Sequence, residues 1–176
     1  MVNENNLEKA IKEVKKLHKE GLDDDQQAVK SAYEKLTKLR VLEPNNALIE
    51  AYFGSTLVLL ARDASRLVEK EEKALEGLDA LNRAVDLEPH HKEVRFLRAN
   101  VCLRLPEVYF HCASTAIEDF TYLLDRYHEN HNYLSYNQVI KTMRDLSKAY
   151  QNAGSPDKAN DVLQRLAHFK SMTNDD

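Results

Sequence analysis

The chain has few residues that interrupt regular structure: four glycines and four prolines among 176 residues, with two cysteines and no tryptophan. No segment joins strict apolar–polar alternation to a hairpin turn such as Asn-Gly, which argues against a fold of short strands. Cys102 and Cys112 are too few to build a secreted disulfide framework, so both thiols are expected to be reduced. An excess of positive charge is also missing. Lys and Arg number 25 against 29 Asp and Glu, for a net charge of −4 and a pI near 6.0. The chain as a whole therefore lacks the basic surface that releases counterions from nucleic acid.

The opening stretch MVNENNLEKAIKEV has neither a basic leader nor an apolar core, so no secretory signal is expected. The most apolar run, Ala51 to Ala61, is too short to span a bilayer and lies between Glu50 and Arg62. No Gly-rich phosphate loop, nucleophile elbow, CxxC or HExxH is found. These absences lead to the expectation of a cytoplasmic, non-catalytic protein with no cofactor, no bound metal and no nucleic-acid or membrane partner.

What the chain does contain is Leu, Ala, Glu and Lys, whose side chains lose little rotamer freedom in a helix. One all-α domain is expected, burying about 70 % of the surface its unfolded form exposes. Apolar positions recur at helical spacing throughout. Leu7, Ile11, Val14 and Leu17 mark a first helix stopped at Gly21, and Ala28, Ala32, Leu36 and Leu39 a second that ends before Pro44. Asn45 or Asn46 can cap a third helix carrying Ile49, Phe53 and Leu57. A fourth, capped by Asp63 or Ser65, places Leu75, Leu78, Leu81 and Val85 inward and runs to Pro89.

Val94, Leu97, Val101 and Leu105 then mark a fifth helix, and Ala113, Ile117, Phe120, Leu124 and Tyr127 a sixth. After the connector HENHN, Val139, Met143, Leu146 and Tyr150 line a seventh, stopped at Gly154. Ser155 caps the eighth, with Pro156 at its first position and Ala159, Val162, Leu166 and Phe169 inward. The stop signal LEPNN at 42–46 returns as LEPHH at 87–91, 45 residues later. A period in the range of about 20–50 residues means stacked units, here helix pairs. The pairs fall at roughly 4–44, 46–89, 91–128 and 133–170, followed by an acidic tail at 171–176.

Three places resemble the tetratricopeptide repeat. They are RAN at 98–100 with AIEDF at 116–120, LSKAYQNAG at 146–154 with Ala159, Leu163 and Leu166, and AYFGSTL at 51–57 with Ala84 and Pro89. The resemblance implies a right-handed α–α superhelix of about four helix pairs, a solenoid whose concave face binds protein or peptide. It also implies that small residues let paired helices approach, Gly54, Ala99 and Ser147 on first helices facing Gly77, Ala116 and Ala159 on second ones. Phe120 and Leu163 would fill the seams between pairs. The spacing of 45 residues exceeds the family's usual 34 or so, so the second pair must be lengthened or looped. A shorter insertion surrounds LPEVYFHC, and the first pair lacks the family's first-helix motif.

Carried onto this sequence, the resemblance places Leu48, Tyr52, Ser55 and Leu59, then Phe96, Asn100 and Arg104, then Lys141, Arg144, Lys148 and Asn152 on the concave face. The last four recur at spacings that share one helix side, a basic stripe suited to an acidic or carboxylate-terminated peptide. Of the family's carboxylate-clamp residues only Asn100 has a counterpart. Two competing expectations remain. Tyr109, Phe110 and Tyr133 would anchor a homo-oligomer, or His128 and His131, with Asp125 one turn before, would hold a metal for hydrolysis.

Overall fold

The computed structural model describes residues 4–173. The described residues are all-α, with no strand. The helices are α1 (Glu4–Leu22), α2 (Gln26–Leu42), α3 (Ala47–Asp63), α4 (Leu67–Leu87), α5 (Lys92–Arg104), α6 (Glu107–Phe110), α7 (Ala113–Glu129), α8 (Tyr136–Asn152) and α9 (Pro156–Thr173). The helix beyond the eight expected is α6, a single turn formed by the insertion around LPEVYFHC. The acidic tail was expected from 171, but α9 continues through Thr173; residues 174–176 lie outside the described ones. Two compact units divide the chain, residues 1–98 and 99–176, with the boundary inside α5.

In the first unit α3 is the centre, packed against α1, α2 and α4. That position explains its apolar run. Ile49, Tyr52, Phe53, Leu57 and Leu59 are all buried although they point to different sides of the helix. Its start is fixed by Asn46, whose side chain accepts the Ile49 N–H at 3.1 Å, a cap worth about 1 kcal/mol. The lengthened pair takes up its extra residues as helix, α4 alone having 21.

The inward face of α4 differs from the expected one. Leu75 is exposed, and the buried side is Ala74, Gly77, Ala80, Leu81, Ala84 and Val85. So many small side chains let α3 and α4 approach until their backbones touch. A Cβ built on Gly54 would stand 2.6 Å from the Gly77 carbonyl oxygen, and one on Gly77 2.6 Å from the Gly54 carbonyl oxygen. Neither Asp63 nor Ser65 caps α4, which begins after Arg66 without a side-chain cap. Asp63 is instead held by the adjacent Arg62 guanidinium at 2.7 Å.

Gly21 does not stop α1 either. It is buried inside the helix, where a Cβ would meet Val29 Cγ2 at 2.6 Å, so its smallness serves the packing of α1 on α2. The turn is made by Asp24 in the left-handed region at φ 70°. The Asp25 N–H then reaches back to the Glu20 carbonyl and the Asp24 N–H to that of Gly21, a Schellman closure. Asp25 also caps α2, its carboxylate accepting the Gln27 and Ala28 N–H groups at 3.0 Å.

In the second unit α8 packs between α7 and α9. Ser135 starts α8 with a capping box completed by Gln138. Gly154, at φ +70°, ends it, and the Ser155 N–H closes on the Tyr150 carbonyl at 2.9 Å. Where α8 meets α9, the buried Ser147 hydroxyl donates to the Ala159 carbonyl at 3.0 Å, so both backbones lie near a small side chain. Phe120 on α7 is fully buried, whereas Leu163 on α9 is 41 % exposed.

Candidate partner-binding face

The second unit joins six of the expected binding residues on two helices. The Lys141 ammonium on α8 donates to Asn100 Oδ1 on α5 at 3.3 Å. Further along, the Asn152 side-chain amide donates to the Leu103 carbonyl at 3.3 Å, which sets Arg104 beside that end of α8. Arg104, Arg144 and Lys148 are exposed. The stripe is less cationic than its sequence suggests, because Lys141 is paired with Asp145, one turn later. Arg104, Arg144 and Lys148 have no ion-pair partner among the described residues, so three positive charges remain open to solvent.

The expected residues of the first unit are placed otherwise. Tyr52 and Ser55 are buried, at 8 % and 4 % exposure, because α1 lies across this side of α3. Ser55 Oγ shares a hydrogen bond of 2.7 Å with His18 Nε2, and the His18 ring meets the Tyr52 ring edge-on at 5.1 Å. The Tyr52 hydroxyl donates to Glu93 Oε1 at 2.5 Å, and the Lys15 ammonium to Glu93 Oε2 at 2.7 Å. Both side chains are therefore spent on internal contacts and offer a partner little surface. Leu59 is buried as well, while Leu48 and Phe96 are half-buried.

This network shifts two titrations. Burial, then the hydrogen bond to Glu93 and its negative charge, push the Tyr52 phenol far above its ordinary value. Burial works to raise the Glu93 carboxyl, but hydrogen bonds from Lys15 and Tyr52, with the charges of Lys15 and His91, hold it below its ordinary value. Ser55 beside His18 has the residue types of a nucleophile and its base, yet both are buried.

A second charged cluster had no signal in the sequence beyond a glutamate within an apolar run. Glu50 on α3, 6 % exposed, receives Arg40 of α2 through Nε at 2.6 Å and a second nitrogen at 3.0 Å. Arg83 of α4 reaches the same carboxylate at 3.0 and 2.8 Å. The Arg40 guanidinium also lies over the Phe53 ring at 3.8 Å. One buried carboxylate is thus clamped from two helices.

Among the described residues, no three His, Cys, Asp or Glu side chains are grouped so that they could hold a metal ion. His128 closes α7 and His131 follows it in the connector, both exposed, with the Tyr127 ring packed against each. Cys102 and Cys112 are buried and form no disulfide. The neighbouring Cys102 thiol holds Cys112 below its ordinary value against burial and the Glu107 charge. No helix among the described residues is long and apolar enough to cross a membrane. The chain matches no protein-family model, and no curated protein shows significant similarity to it.

Proposed function

We propose that the chain is a non-catalytic scaffold that binds an acidic protein or peptide segment, built on tetratricopeptide-like helix pairs arranged as a right-handed superhelix. The observation that carries the reading is the set of three uncompensated cations, Arg104, Arg144 and Lys148, on neighbouring helices with Asn100 and Asn152 beside them. Guanidinium groups on a rigid helix suit carboxylates, which they can grip through two parallel bonds. The backbone contact at Gly54 and Gly77 supports the repeat likeness, since close pairing is what that family's small residues provide. The binding face in this reading is α5 and α8. Tyr52 and Ser55 are left out of it because they are buried.

The test is fluorescence anisotropy with an Asp/Glu-rich peptide and a variant carrying Arg104→Glu, Arg144→Glu and Lys148→Glu together. Binding should weaken at least about tenfold, a loss of roughly 1.4 kcal/mol, and should weaken with salt in the unaltered protein. Equal binding by both proteins would remove the stripe from the account. A second reading, self-association, is favoured by Val108 and Tyr109 on α6, 72 % and 77 % exposed. Light scattering over a wide concentration range decides it, and a constant monomer mass would discard it.

A further inference from the structure

In the second unit, α7, α8 and α9 part to leave a cavity of about 210 Å3. Its floor is Leu124, Val139 and Met143, all buried. Its wall is aromatic and held in place. Tyr127 meets Phe169 edge-on at 6.2 Å, and Phe169 stacks on Tyr136 at 5.5 Å. Met172, 63 % exposed, stands at the mouth. The remaining lining groups are Arg165, His128 and His168, and no carboxylate of the described residues lines the space. Asp125 and Glu129 share α7 with His128 but lie outside the lining, and Glu129 is paired with Arg126 at 2.5 Å. Arg165 has no ion-pair partner among the described residues.

An apolar hollow with an unpaired guanidinium and two imidazoles at its edge selects by chemistry. The hollow favours a body with no polar atoms, which removes its surface from water. The guanidinium is a planar fork that grips a carboxylate through two bonds. Size narrows the choice further. The volume falls below the roughly 300–1,000 Å3 of sites for drug-sized ligands, but above the roughly 150 Å3 apolar cavity that admits benzene. One ring and a short chain fill it.

We propose that this cavity binds a small apolar carboxylate, its ring-sized body between Tyr127, Phe169 and Met143 and its charged head at Arg165. The site is separate from the cationic stripe. Met143 is buried in the floor, whereas Arg144, the next residue, is exposed, so the two sites use different faces of α8. It stands or falls independently of the scaffold reading.

The experiment uses the full chain labelled at its methionine methyls, since Met143 and Met172 both line the cavity. Titration with 3-phenylpropionate should shift both signals to saturation, and 3-phenylpropan-1-ol, which has the same body without the charge, should bind about tenfold more weakly. Arg165→Gln should abolish that preference while leaving the weak binding of the alcohol unchanged. Arg165 is exposed and has no ion-pair partner among the described residues, so the variant keeps the fold, which the undisturbed remainder of the spectrum verifies. A peptide ending in the same chemistry, acetyl-Gly-Gly-Phe, serves as the other arm. Weaker binding than the free acid supports the small-molecule assignment, and tighter binding overturns it. Absence of saturation, equal affinity for acid and alcohol, or a preference that survives Arg165→Gln also overturns the proposal.

Discussion

Alanine at Gly54 or Gly77 is the most direct probe of how α3 and α4 are held together. Glycine inside a helix is ordinarily a weakness, and replacing it by alanine ordinarily stabilises by about 1 kcal/mol. Here the sign should reverse. The new methyl at 54 would stand 2.6 Å from a backbone oxygen and 2.9 Å from Leu81 Cγ, and ordinary contact begins near 3.4 Å. At 77 it would meet the Gly54 oxygen at 2.6 Å and Val58 Cγ2 at 2.8 Å. A carbonyl oxygen cannot rotate aside as a side chain can, so the helices must separate and loosen Leu57 and Leu81. Overpacking of this kind costs about 3 kcal/mol, leaving about 2 kcal/mol of net destabilisation after the helix-propensity gain.

The double variant gives the sharper result. Once the helices have moved apart for one methyl, the second enters partly vacated space, so the two losses should fall short of their sum by about 1 kcal/mol. Urea denaturation reads each loss as a shift in midpoint at unchanged slope. Gly154→Ala is the control. It has nothing within 4 Å but sits at φ +70°, so it should lose about 1 kcal/mol and add independently to either change. If Gly54→Ala or Gly77→Ala stabilised the chain, or the pair proved strictly additive, the close approach would be refuted.

Two further outcomes follow from the charged clusters. Glu50→Gln should destabilise by about 2–3 kcal/mol in the same urea assay, below the usual cost of breaking a buried pair because Arg40 and Arg83 can turn to water; a loss under about 0.5 kcal/mol would contradict the clamp. Glu93, its carboxyl lowered on folding, contributes stability present above the unfolded value of 4.5 and lost as pH falls through its native value. Partial exposure limits that share to about 0.5 kcal/mol. Tyr52, raised on folding, contributes stability present below 10.0 and lost as pH rises beyond it. Thermal melts of Tyr52→Phe across both limits should show a shallower acid loss and a shallower alkaline loss than the unaltered chain; identical pH profiles would dismiss the network.

Local signals were legible wherever they act within a few residues. Asn46, Gly154 and Pro156 punctuate helices by bonding to their own turn or by their own backbone angles, and neighbouring helices hardly matter to that. Signals that depend on a neighbour were misread. Gly21 looks like a helix stop, but its value lies in what Val29 brings against it. Leu75 keeps the apolar period, yet the face that packs is the one of smaller side chains beside it. Tyr52 and Ser55 occupy positions the resemblance assigns to an open face, and only the placement of α1 reveals that they are covered. Glu50 stands out only as a charge beside an apolar run and gives no hint of its two partners, which lie 10 and 33 residues away.

That shared carboxylate has an implication for how such a chain could be cut or lengthened. Since Arg40 and Arg83 hold Glu50 from opposite sides in sequence, α3 is tied by charge to the helix before it as well as to the one after. Excising the hairpin from 46 to 89 would carry off an acid with half of its counter-ions and leave a lone guanidinium behind. Duplication or transplantation of this segment therefore has to proceed in blocks of three helices, and any engineered junction at Pro44 needs a replacement cation reaching from the new neighbour.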